Sequence, residues 1–405
     1  MDRGFYTILT AQFVSALADN ALLFAAIALL KVLSAPAWHT PLLQEFFVIA
    51  YILLAPFVGS FADAIPKGQV MFVSNAIKFA GCMAMLLGMQ PLYAYGVVGI
   101  GAAAYSPAKY GILTEYLPPH KLVAANGWME GTTVAAIVLG AILGTVLVTP
   151  AVADCFIHRW DLSWLRPPEF AIAVITALYV LAAVINLYIP HVPIDHRLPK
   201  KNPLYVLHDF WHAFSLLWRD PQGRVSLAVT TLFWGVGATL RLVVLVWAVA
   251  ALHFKPENAP LLTVIVALGI AMGAIAAARF IKLEHAVKSL PAGIVMGLLV
   301  VVMVLVQHLW LAAVLLFLIG AISGFFVVPL NALLQHRGHL LMGAGHSIAV
   351  QNFNENIGIL LLLGAYTVMV GTDLHINAII VMFGLFISVT MAAIYRRHRP
   401  QPAHG

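Results

Sequence analysis

The feature that most constrains this chain is a repeated one: apolar windows of about 20 residues, cut by short breaks rich in charge, Pro and Gly. The windows fall near 5–33, 44–65, 69–88, 92–116, 121–149 and 168–190, then 225–253, 261–282, 290–306, 310–334, 341–369 and 375–397. A helix needs about 20 apolar residues to cross the hydrocarbon core of a bilayer. At these lengths only helices satisfy their own backbone in lipid. Composition agrees, because 62% of the 405 residues are hydrophobic and 9% charged. A soluble domain carries about 25% charged residues. The windows predict an all-α polytopic membrane protein with 12 transmembrane helices. The first window is too long for the apolar stretch of a signal peptide, and no small-residue cleavage site follows it, so it reads as a retained span.

One segment breaks the series. Residues 191–224 follow Pro190 and contain Pro193, Pro199 and Pro203, then "LYVLHDFWHAFSLLWR". That amphipathic stretch is expected to lie on the membrane surface. The predicted organisation is therefore a six-helix bundle over 1–190, a cytoplasmic linker over 191–224 and a second six-helix bundle over 225–405. With the N-terminus inside, fifteen Lys and Arg residues face the cytoplasm, and only Lys31, Arg159, Arg166 and Lys255 face the other side. Lys and Arg accumulate in cytoplasmic loops, so both termini are expected there. The net charge of +6 follows from this loop bias and calls for no nucleic-acid partner. Cys82 in a window and Cys155 in a loop suggest neither a disulfide framework nor a metal site.

The halves resemble each other. "GAAAYSPAKYGILTEYLPPHKLVAANG" and "GAISGFFVVPLNALLQHRGHLLMGAGH" each carry a Gly start, a mid-helix Pro (Pro107, Pro329), a short basic loop and a Gly-containing restart. They occupy matching places in a 6+6 chain, the pattern of a transporter built from structural repeats. The loop "GSFADAIPKGQ" places Gly59, Asp63, Lys67 and Gly68 after the second window. It resembles the cytoplasmic loop motif of the major facilitator superfamily, with one extra residue before the Lys-Gly pair. Gly59 would let helices approach closely, and Asp63 would accept from free N–H groups at a helix start.

Six charges lie within the windows: Asp19, Glu130, Glu355, Lys78, Lys109 and Arg241. Each costs roughly 2.5–3.5 kcal/mol on insertion scales and marks a cavity or a pair. Helical spacing groups them with other polar residues. Gln12, Ser15 and Asp19 form one stripe, as do Asn126, Glu130 and Thr133, Thr230, Trp234, Gly237 and Arg241, and Ser347, Gln351 and Glu355. Tyr105 and Lys109 stand one turn apart around Pro107. Lys78 alone falls in a window expected to face lipid, and reads as a snorkelling or helix-pairing lysine. Of the aromatic residues only Trp234 is assigned to the site. Carboxylates on one wall and Arg or Lys on the other suit a ligand with both charges. Arg offers phosphate a planar fork, and Asp accepts from an ammonium. Phosphoethanolamine has both groups, as does an amino acid. Asp19 and Arg241, in matching helices of the halves, could pair in one state and part in another.

"AQFVSALADNALLFAAIALLK", "YILLAPFVGSFAD", "GIGAAAYSPAKYGIL", "TLFWGVGATLRLVVLVW", "GFFVVPLNALLQHRG" and "GAGHSIAVQNFNENIG" closely resemble the bacterial lysophospholipid transporter family of the major facilitator superfamily. The resemblance covers nearly the whole chain. It implies uptake of lysophosphatidylethanolamine and lysophosphatidylglycerol across the Gram-negative inner membrane to the cytoplasmic leaflet. A separate acyltransferase of the acyl-ACP synthetase type would then re-acylate them. It assigns substrate-binding roles to Asp19, Asn20, Lys109, Arg241, Gln351, Asn352 and Glu355, beside Tyr105, Glu130 and Trp234 from the stripes. The family pattern departs at His346, where Asn is expected, at His336, where an acid is expected, and at Asn354, where Gly is expected. A monomer without cofactor or metal is expected.

Two other classes fit less of the sequence. A proton-coupled exporter of drugs or small metabolites would use Asp19 and Glu355 as proton sites. A scaffold would only hold the acyltransferase at the membrane. An enzyme is disfavoured, because no nucleophile elbow, P-loop, dinucleotide loop or metal cluster is present.

Overall fold

The computed structural model describes residues 1–36, 39–159, 165–192, 202–252 and 260–398. The first part of the linker, and Arg197, Lys200, Lys201, Lys255 and Arg399 from the charge count, lie outside the described residues. Within them the chain is all-helical, with no strand. The helices are α1 (Arg3–Val32), α2 (His39–Ala64), α3 (Lys67–Leu86), α4 (Pro91–Tyr116), α5 (Leu122–Leu147), α6 (Pro150–Arg159) and α7 (Pro167–Asn186). They continue as α8 (Pro203–Arg219), α9 (Pro221–Leu252), α10 (Pro260–Phe280), α11 (Leu290–Val302), α12 (Leu309–Met342), α13 (Ala344–Gly371) and α14 (Ile376–Arg397).

The breaks in the sequence become helix starts. Pro91, Pro150, Pro167, Pro203, Pro221 and Pro260 each open a helix, where a fixed φ and a missing N–H carry no penalty. Asp2 caps α1, its Oδ1 accepting from the Phe5 N–H at 3.0 Å. The twelve apolar windows map onto α1–α5, α7 and α9–α14. The amphipathic linker stretch is α8. The short α6 is an addition that no apolar window announced. Eleven helical runs among the described residues are long and apolar enough to cross a membrane. The 26-residue α4 falls outside that set, because Tyr93, Tyr95, Tyr105, Pro107 and Lys109 lower its mean hydropathy.

The residues divide into two compact units. One comprises 1–116, 135–214 and 342–352; the other comprises 117–134, 215–341 and 353–405. In the first unit α1 packs along α7, and α3 packs against both α4 and α7. Leu22, Ala25 and Leu29 of α1 share one core with Cys82 and Met85 of α3, Tyr95 and Val98 of α4, and Ile172 and Ile175 of α7. In the second unit α14 lies against α11 and α9.

Lipid is as apolar as Leu, so helices in it associate through close packing at small residues. Gly140 and Gly144 of α5 meet the backbone of α1 this way: a Cβ on Gly140 would stand 2.6 Å from the Leu17 carbonyl oxygen. Gly269 and Gly273 of α10 press on the backbone of α12 at Phe317 and Ala321. Four small residues facing neighbouring helices would be expected to leave an apolar slot wide enough for a lipid chain. Backbone from a neighbouring helix fills the space instead.

Candidate functional site

The stripe on α1 leads to a buried ionic cluster in the first unit. Asp19 accepts from Lys78 Nζ of α3 at 2.8 Å and from the Tyr179 hydroxyl of α7 at 2.8 Å. Lys78 also donates to Ser15 Oγ at 3.1 Å, and Ser15 donates to Asn75 Oδ1 at 2.8 Å. The Lys78 ammonium lies 4.7 Å from the Tyr105 ring centroid and 5.6 Å from that of Tyr179. A cation over an aromatic face gains up to about 2 kcal/mol when desolvated. The helix spacing explains the convergence: Ser15 and Asp19 stand one turn apart on α1, and Asn75 and Lys78 one turn apart on α3. Lys78 therefore does not snorkel. It is the counter-ion of Asp19. Asn20, beside it, turns its amide back to the Ala16 carbonyl at 2.8 Å.

The loop motif forms a second cluster in the same unit. Asp63 accepts from the backbone N–H groups of Gly345 at 2.8 Å and His346 at 3.0 Å, at the start of α13. A helix N-terminus carries free N–H groups and partial positive charge, which suits a carboxylate. Lys67 Nζ bridges Asp63 at 2.8 Å and Glu115 of α4 at 3.0 Å. Gly59 permits the approach, since a Cβ there would stand 2.9 Å from the Ala349 Cβ and 3.1 Å from the His346 Cα. Gly68 sits against Asn186, the last residue of α7, and against Ile189 just beyond it. His346 extends the cluster: its Nδ1 is 2.7 Å from Asp63 Oδ2, and its Nε2 is 3.1 Å from Asp209 Oδ2 of α8 and 3.2 Å from Ser60 Oγ.

The other candidates are distributed. In the first unit Tyr105 lies beneath Lys78, Lys109 Nζ lies 4.6 Å over the Tyr110 ring, Gln351 is buried, and Asn352 donates to Ser106 Oγ at 2.9 Å. In the second unit Glu130 and Glu355 are buried, Trp234 meets Phe233 edge-on at 5.5 Å, and Arg241 is exposed. Asn126 of the Glu130 stripe exchanges hydrogen bonds with Gln335 of α12, both at 2.9 Å. At the junction of α8 and α9, Asp220 accepts from the Gly223 N–H at 2.7 Å and pairs with Arg337 of α12.

Sequence reading missed Tyr179, Asn75, Asp209 and the identity of Asp19 as the partner of Lys78, although helix pairing was one of the two roles expected of that lysine. Asn75 and Lys78 did carry a signal, being polar and one turn apart. Tyr179 carried none, as a lone Tyr in an apolar window is ordinary. Among the described residues no group of three or more His, Cys, Asp or Glu could hold a metal.

Two six-window halves, an all-helical fold, and a Gly–Asp–Lys–Gly loop seated at a helix N-terminus define a membrane transporter of the facilitator type. The family model of the Major Facilitator Superfamily matches residues 8–363. The fold is similar to that of the E. coli fucose:proton symporter FucP, with TM-score 0.78, 12% identity and 98% of each chain covered. It is also similar to the human organic anion transporter MFSD10, with TM-score 0.71, 14% identity, and 98% of this chain and 99% of that one covered. Sequence relatives narrow the class. The chain is 47% identical to the lysophospholipid transporter LplT of Serratia proteamaculans, over 91% of this chain and 89% of that one. It is 41% identical to LplT of Photorhabdus laumondii, over 99% of this chain and 97% of that one. The chain belongs to the major facilitator superfamily and, within it, to the family of these lysophospholipid transporters. It is a multi-pass protein of a bacterial inner membrane.

Proposed function

We propose that the protein moves lysophosphatidylethanolamine and lysophosphatidylglycerol across the inner membrane to its cytoplasmic leaflet, by alternating access of two six-helix bundles. The observation that carries this reading is identity of 41–47% with named lysophospholipid transporters over nearly the whole chain. In this reading α4 also crosses the membrane, which brings the spans to twelve, and both termini are cytoplasmic. The protein works as a monomer, and a separate acyltransferase re-acylates its product.

Physical chemistry assigns the parts. A charged headgroup in hydrocarbon needs polar surface to replace its water. Asp19, Asn20, Tyr105, Lys109, Glu130, Trp234, Arg241, Gln351, Asn352 and Glu355 supply that surface. Arg241 offers the phosphate a charge-assisted fork, and Asp19 faces the polar head. The single acyl chain remains in lipid, and one chain displaces less apolar bulk than two. Asp63 and Lys67 hold α2, α4 and the start of α13 together in one state. Substrate helps release them in the other only through differential affinity for the two states.

Uptake of labelled lysophosphatidylethanolamine by proteoliposomes tests the reading. Asp19→Asn and Arg241→Ala should each lower it about tenfold or more, the scale of about 1.4 kcal/mol of lost binding. Uptake unchanged in both variants would refute the assigned site. Uptake that follows a proton gradient, with no competition by lysolipid, would favour the small-molecule exporter instead.

A further inference from the structure

The cluster around Asp19 is lopsided. The Lys78 side chain is 1% exposed, whereas that of Asp19 is 23% exposed. A pair that only clamped α1 to α3 would gain most by sealing both charges alike. Here the ammonium is enclosed by Ser15, Asp19 and the rings of Tyr105 and Tyr179, while the carboxylate keeps an open side. An ionised carboxylate has about four acceptor positions. Lys78 and Tyr179 occupy one on each oxygen. Beside them the buried Asn75 Nδ2 has no hydrogen-bond partner. Buried polar groups are rarely left so, and the cluster thus retains both acceptor and donor capacity.

The charge balance has a consequence for the ligand. With Lys78 in contact, Asp19 presents oxygens that accept hydrogen bonds but little net negative charge. Such a surface suits the hydroxyls of a glycerol headgroup as well as an ammonium. A bare carboxylate in that place would require a cation and would reject an uncharged or anionic group, since an uncompensated buried charge is costly.

We propose that Lys78 is a specificity-determining positioning residue, which neutralises Asp19 so that one site accepts both ethanolamine and glycerol headgroups. This rests on the transport reading above. Lys78 itself does not touch the ligand. Its ammonium acts through Asp19, and removing it turns a permissive acceptor into a cation-selective one.

The test is competition between the two lysolipids for uptake in proteoliposomes, with separate KM and kcat for each. Lys78→Met and Lys78→Gln should raise the ethanolamine-to-glycerol preference about tenfold or more, mainly through a higher KM for the glycerol lipid. Gln retains a donor toward Asp19 and serves if the Met variant does not fold. Lys78→Arg keeps the charge and should keep the wild-type ratio. Tyr179→Phe, which removes a donor and no charge, should also leave the ratio unchanged. If the wild type moves neither lysolipid, the transport reading has failed and this inference with it. If the wild type moves both and the Met and Gln variants keep its ratio, only the role of Lys78 is overturned. Failure of both neutral variants to fold, with Lys78→Arg intact, would make the pair a structural clamp and also overturn it.

Discussion

At the scale of residues, the chain concentrates cost in a few buried ions and then satisfies them. Asp19 shows how. Removing one partner of a buried pair strands the other charge, which costs about 3–5 kcal/mol. Asp19→Ala should therefore destabilise the protein by about 3 kcal/mol, because Lys78 cannot reach water from its enclosure. Asp19→Asn keeps an acceptor and should cost about half as much or less. Melting of the purified protein in detergent measures both, and equal effects would contradict the buried-pair account. The sequence made Asp19 conspicuous, since a carboxylate in an apolar helix needs a reason. It pointed to Arg241 as the partner, in the matching helix of the other half, whereas the structure pairs Asp19 with Lys78. That choice depends on helix rotation and on the tyrosines enclosing Lys78, and neither is encoded in local spacing.

At the scale of elements, two polar joints link helices that the apolar windows show only as separate segments. His346 joins α13 to α2 through Asp63 and to α8 through Asp209. Asn, which the family pattern would place here, is too short to bridge both. His346→Asn should raise amide hydrogen exchange along α8 severalfold while sparing α7; unchanged exchange in α8 would show that Asp209 does not hold the helix. The second joint is Asp220. Burial raises its carboxyl pKa, but the Arg337 hydrogen bond, the Gly223 N–H and the Arg337 charge outweigh this and hold it below the ordinary carboxylate range. A depressed folded pKa gives stability that is full above the unfolded value, near 4. That stability is lost as pH falls through the lower folded value. The melting temperature of the wild type should therefore fall more between pH 5 and 3 than that of Asp220→Asn. Parallel curves would remove Asp220 from the acid response.

At the scale of the whole molecule, hydropathy and loop charge made the class legible early, because the bilayer leaves few alternatives to helices. The helix bounds follow the windows to within a few residues, except for the C-terminal end of α12, which extends to Met342 beyond the window ending at 334. There the basic residues of the "QHRGHLL" stretch had marked an end, yet the helix continues and brings Arg337 to Asp220. The short α6 escaped because its ten residues are too few for an apolar window. Orientation is testable with the native thiols. Cys155, exposed on α6, should react with a membrane-impermeant maleimide added outside spheroplasts, and buried Cys82 should not. Labelling of Cys155 only after lysis would invert the proposed topology. The central claim is transport of a single-chain lipid. The most direct measurement is flipping by the purified wild-type protein in proteoliposomes, with a labelled lysophosphatidylethanolamine and its two-chain counterpart followed by back-extraction. Protein-dependent movement of the one-chain lipid, with little movement of the two-chain lipid, is the expected result. No protein-dependent movement, or equal movement of both lipids, would contradict it.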